Sequence, residues 1–167
     1  MGHIADRLDA INRFVGSVVR WFALAMMLLQ FMVVLLRYIF GISDIALNES
    51  VLYLHAGLFM LGAGYTLLVD GHVRVDIFYA SASVRNRAII DLCGHLFLLI
   101  PAMLVIMYWS WPSVRNAWVI LEGPISVGGI PASFLLKSLI PAFCVLLLVQ
   151  SCACLLRNLV TLREVGE

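Results

Sequence analysis

Four stretches of this chain are each long and apolar enough to cross the hydrocarbon of a bilayer, and this constrains the fold more than any other feature. A spanning helix needs about 20 mostly apolar residues, because ~30 Å of hydrocarbon is covered at ~1.5 Å per residue. Residues 21–40, 51–69, 89–111 and 130–156 meet that requirement. Lipid offers no water to a backbone N–H or C=O, so runs of this length pair those groups internally as helices. A soluble reading fails on composition. Of the 167 residues 63% are apolar and 13% charged, where a soluble domain is roughly half apolar and a quarter charged. The expected fold is all-α: an integral membrane four-helix protein forming one membrane domain over residues 1–167.

Turn signals separate the runs. Gly41 to Asp44 breaks the first helix, and Asp70-Gly71 ends the second, with the glycine suited to a C-cap. Gly123-Pro124 and Gly128-Gly129-Ile130-Pro131 interrupt the last connection, after a piece over 113–122 that reads as a short extension or interfacial helix. Residues 3–19 do not read as a secretory signal. They predict an interfacial amphipathic helix, with Ile4, Leu8, Ile11, Val15 and Val18 on one face and Asp6, Arg7, Asp9, Asn12 and Arg13 on the other. The alternative is a solvated tail. Within that segment Asp9 and Arg13 stand at the i, i+4 spacing of a helical ion pair.

Orientation follows from the basic residues. Eight of the eleven fall on one side, in the N-terminal segment (Arg7, Arg13, Arg20), the second connection (Arg74, Arg85, Arg87) and the C-terminal segment (Arg157, Arg163). Arg37, Arg115 and Lys137 fall on the other. The positive-inside rule then expects both termini in the cytoplasm. Trp109, Trp111 and Trp118 suit the outer interface as aromatic anchors.

Charged groups at membrane depth are costly, so each calls for a partner. Glu49 opens the second run, and Tyr53, Gly57, Met60 and Gly64 follow it on one helical face. Small residues there allow close helix approach. Two readings stay open: a docking face for another subunit, with Glu49 paired to Arg37 or to that subunit, or packing within this chain. Lys137 can snorkel or pair with Glu122. The densest polar cluster is Asp70 to Asp76, where His72, Arg74 and Asp76 alternate with valines, predicting a loop structured by internal hydrogen bonds.

His55 and His95 raise the question of a membrane cytochrome. Their expected depths differ by roughly 16 Å at ~1.5 Å per residue, too far for two axial ligands of one iron. Cys93, Cys144, Cys152 and Cys154 lie in apolar runs without C-x-x-C spacing and read as small hydrophobes. No phosphate-binding loop, metalloprotease motif or nucleophile elbow is present. No run is broken at mid-membrane by a glycine-rich stretch or strung with acids and bases, as a transport site or proton relay requires. Taken together, the sequence predicts a non-enzymatic scaffold or accessory subunit, with no cofactor, no metal site and no nucleic-acid partner.

The order of short motifs carries a resemblance. Arg37-Tyr38-Ile39-Phe40-Gly41, then Asn48-Glu49-Ser50 before Tyr53-Leu54, then Gly62-Ala63 and His72-Val73-Arg74-Val75-Asp76 resemble the DctQ-like small membrane subunit of tripartite ATP-independent periplasmic (TRAP) transporters. Gly129-Ile130-Pro131 with Lys137, Pro141 and Gln150 also fits, so the resemblance covers nearly the whole chain. It implies a bacterial inner-membrane protein bound to a large multi-helix permease subunit, with a periplasmic substrate-binding protein delivering an organic acid. Uptake would be driven by an ion gradient, usually sodium. It also implies that membrane lipids surround the pair, and that the small subunit steadies the scaffold while part of the large one moves. The rival readings are a membrane anchor or cytochrome-type subunit of a redox complex, and a self-contained channel or small exporter.

Overall fold

The structure, a computed structural model, describes residues 2–72, 79 and 82–164. Four long helices account for most of it: α1 (Gly2–Phe40), α2 (Ile45–Leu68), α3 (Val84–Val119) and α4 (Ser133–Glu164). All four are long and apolar enough to cross a membrane. The fold is all-helical, as the four runs require.

Local chemistry sets the helix ends. Gly41, at φ +68°, closes α1 while the Ile42 N–H donates back to the Leu36 carbonyl at 3.0 Å. Asp44 then caps α2, accepting from the Leu47 N–H at 2.8 Å. This cap starts α2 six residues before the apolar run, which puts Glu49 in the second turn rather than at the entrance. At the other end of α2 the left-handed residue is Asp70, at φ 57°, and not Gly71, whose N–H donates to the Thr66 carbonyl at 2.8 Å. Aspartate is one of the few side chains that tolerates this region.

α3 is continuous but not uniform. Residues Gly94–Leu99 form a π-helical turn between α-helical Val84–Cys93 and Ile100–Val119. Pro101 accounts for it. Proline has no N–H to give and collides with the carbonyl four residues back. The helix widens there, and the Ile100 N–H reaches the carbonyl of His95 instead. The 113–122 piece extends α3 as far as Val119.

Successive helices are antiparallel, so residues near both termini share one end of the molecule, here the termini end. The 41–44 and 120–132 connections share the other, the loop end. α4 is the hub and packs on all three other helices. α3 packs mainly on α4, around a core of Met103, Cys144 and Leu147 that Ala63 and Leu67 of α2 also approach. α1 contributes one stripe along its whole length, with Ala5, Asp9, Asn12, Val19 and Val33 buried. The predicted interfacial segment and first span are therefore parts of one helix. Over residues 3–19 its apolar face points outward, with Ile4, Ile11 and Val18 exposed, and part of its polar face points inward.

Candidate functional site

Among the described residues, most of the buried polar side chains gather into two clusters at opposite ends of the molecule. At the termini end, Asp9 and Asn12 of α1 face Gln150 and Arg157 of α4. Gln150 Nε2 donates to Asp9 Oδ1 at 3.0 Å, and Asn12 Nδ2 donates to Gln150 Oε1 at 2.9 Å and to the Leu146 carbonyl at 3.3 Å. Arg157 Nη2 donates to both Asp9 oxygens, at 2.6 Å to Oδ2. Asn12 and Gln150 are wholly buried and Asp9 nearly so, while Arg157 remains half exposed. A buried carboxylate is costly unless hydrogen bonds or an opposite charge satisfy it, and Asp9 has both. Its partner is Arg157 on another helix, not Arg13 four residues along. Among the described residues no donor reaches Asn12 Oδ1.

Glycines admit this cluster. A Cβ on Gly64 would stand 2.2 Å from Asn12 Oδ1 and 3.1 Å from the Leu146 Cβ. One on Gly57 would meet the Phe22 ring at 2.9 Å, and one on Gly16 the Tyr65 ring at 2.5 Å. Gly57 and Gly64 are buried against α1 and α4 of this same chain. Tyr53 and Met60, on the same side of α2, are half-buried, and the buried Tyr53 hydroxyl has no hydrogen-bond partner among the described residues.

At the loop end a carboxylate binds backbone. Glu49, buried in α2, accepts from the Ser126 N–H at 2.9 Å and the Ile130 N–H at 2.7 Å. The 120–132 connection wraps over it, turning at Gly128 with φ +87°. The backbone at Gly129 lies so close that a Cβ there would stand 2.2 Å from Glu49 Oε2. Further bonds fix the same connection: Ser133 Oγ donates to the Gly123 carbonyl at 2.6 Å, and Lys137 pairs with Glu122 at 2.6 Å. Trp118 Nε1 donates to Ser138 Oγ at 2.7 Å. Arg37 is exposed and makes no ion pair with Glu49, whose oxygens the connection already holds.

The remaining sequence candidates separate. His72 is exposed just beyond α2. Arg74 and Asp76 lie outside the described residues. Nearby, the Tyr79 hydroxyl donates to Asp91 Oδ2 at 2.9 Å, and the Arg87 guanidinium lies 5.3 Å from the centre of the Tyr79 ring. His55 stacks on Phe59 at 4.7 Å, and His95 shares a 3.1 Å hydrogen bond with Ser151 of α4. Among the described residues no group of three His, Cys, Asp or Glu side chains could hold a metal ion. Sequence reasoning missed Gly16, Asn12 as an inward residue, and Gly129 as a contact of Glu49. The recurrence of small or short polar residues at 5, 9, 12 and 16 is the available signal.

Four helices long and apolar enough to cross a membrane, tied at both ends by internal polar contacts, define a helical membrane-protein fold with a polar clamp at each end. The sequence profile described as "Tripartite ATP-independent periplasmic transporters, DctQ component" matches residues 26–161. The chain belongs to this family, a component of TRAP transporters. No curated protein and no solved structure matches it.

Proposed function

We propose that the chain is the small permease subunit of a TRAP transporter and acts as a fixed scaffold, not as the path of the substrate. The observation that carries this is the pair of clamps. Glu49 and the Asp9–Gln150–Arg157 set join elements of the same chain to one another, which suits a part that stays rigid while a partner moves. In this reading it forms a heterodimer with a large multi-helix permease subunit. A periplasmic binding protein delivers an organic acid, and an ion gradient, sodium for preference, drives uptake. The chain sits in the bacterial inner membrane with both termini cytoplasmic, and residues 3–19 lie at that interface with the exposed Ile4, Ile11 and Val18 toward lipid. Because α1 and α4 occupy the glycine face of α2, the large subunit docks on the outer faces of the helices.

Reconstitution tests the proposal. Liposomes holding this chain, the large subunit, or both are given binding protein, an ion gradient and a panel of labelled organic acids. Uptake is expected only with both membrane subunits present. Transport by this chain alone would overturn the proposal.

A further inference from the structure

α1 and α2 do not close on each other over their full length. At the termini end they leave a groove of about 670 Å³, a size that suits a small-molecule or headgroup ligand. Arg13, Ser17 and Arg20 line one wall at one helical spacing, Arg157 of α4 closes the side, and Leu58 and Phe59 of α2 supply an apolar stretch. The charges are unbalanced. Among the described residues no carboxylate pairs with Arg13 or Arg20. Asp9, the nearby buried acid, is already held by Arg157 and Gln150. Among the described residues Arg20 meets only the Trp21 ring, 5.8 Å from its guanidinium. Yet Arg20 lies directly before the apolar run of α1, where an unpaired charge is unfavourable.

We infer that this groove binds an anionic phospholipid, with the headgroup phosphate held by Arg13 and Arg20 and an acyl chain lying along Leu58 and Phe59. Guanidinium groups suit phosphate because their planar N–H donors match its oxygens in pairs. The two arginines stand about 10 Å apart along α1, so a phosphate between them draws one side chain up and the other down. A free phosphate would satisfy the arginines and leave the apolar half of the groove empty. A lipid fills both halves. The site lies within this one chain and depends on neither the transported solute nor the orientation of the termini.

Native mass spectrometry of the full-length chain tests this. The protein, in mild detergent, is titrated with phosphatidylglycerol and with phosphatidylcholine, each with and without millimolar inorganic phosphate. Phosphatidylglycerol should bind at least tenfold more tightly than phosphatidylcholine, and inorganic phosphate should not displace it. Arg13→Gln with Arg20→Gln should abolish that preference, whereas Arg13→Lys with Arg20→Lys should keep most of it. Arg163→Gln, outside the groove, should change nothing. If the double Gln variant loses helix content, each single Gln variant should still show a reduced preference. Undiminished phosphatidylglycerol binding in the Gln variants would overturn the inference. So would displacement by inorganic phosphate, which would make the site one for free anions. Loss of the lipid whenever partner proteins co-purify would also overturn it, because an acidic segment of a partner would then own the groove.

Discussion

The two clamps use the same resource, a buried carboxylate, in opposite ways. At the termini end Asp9 meets side chains from a helix about 140 residues away in sequence: Gln150 and Arg157. At the loop end Glu49 meets backbone N–H groups of a connection. The first joins helix to helix and depends on which side chains stand at a few positions. The second fastens a connection onto a helix and depends on backbone shape, on Gly128 to turn and on Gly129 to leave room. Failure of the first should loosen α1 from the hub helix. Failure of the second should free a loop and leave the helices packed.

The largest effect is expected where the termini-end cluster has no spare space. Gly64→Leu drives a side chain into Asn12 and Leu146. Overpacking alone costs ~1–3 kcal/mol, and displacing Asn12 and Gln150 from their bonds adds to it. The folded chain should be largely lost, read as a collapse of the monodisperse peak in detergent. A stable Gly64→Leu protein would show that α1 does not pack there. Asp9→Ala comes next. It leaves Gln150 and half-exposed Arg157 without their acceptor, at a cost of about 2 kcal/mol. In a double-mutant cycle, Asp9→Asn with Arg157→Gln should show a coupling of about 1 kcal/mol. Absence of coupling would reduce the pair to mere proximity.

Glu49→Gln sharpens the contrast. The amide keeps one acceptor oxygen and loses the charge, a change of about 1–2 kcal/mol. Its signature should be local: faster amide hydrogen exchange over residues 121–132 with the helices still protected. Gly129→Ala should give the same pattern, because its Cβ meets the Glu49 carboxylate. Exchange spreading through α1 and α4 in either variant would mean that the clamps are not independent. Lys137→Gln should do least, under about 1 kcal/mol in thermal unfolding, because both partners of the Glu122 pair are about one-third exposed.

Much of this was legible in the residues and some was not. Apolar length located the spans, Gly41 marked the end of α1, and Lys137 with Glu122 was among the pairings in view. Asp9 was harder. At i, i+4 from Arg13 it fits a solvated helical pair, and the rule that polar faces point outward agrees. In a membrane protein the rule weakens, since lipid accepts the apolar face and another helix supplies hydrogen bonds to the polar one. Glu49 at membrane depth calls for a partner, but that partner is backbone N–H and not a cation such as Arg37. Backbone N–H groups occur at every residue except proline, so no composition signal marks the ones a carboxylate will find. The glycine face of α2 was visible as a pattern of small residues, and what it faces was not.

The sequence by itself determined that the chain is all-helical, that four helices can cross a membrane and that the chain belongs to the DctQ family. Those conclusions rest on length, hydropathy and motif order, which are properties of contiguous residues. Only the tertiary structure decided that α4 is the hub, that Asp9 turns inward to Arg157 and that Glu49 holds a loop. It also showed that Arg13 and Arg20 share a groove in which no carboxylate among the described residues pairs with them. The physical reason is that a buried polar group must be satisfied by whatever lies beside it, and in these clusters the neighbour comes from a distant part of the chain.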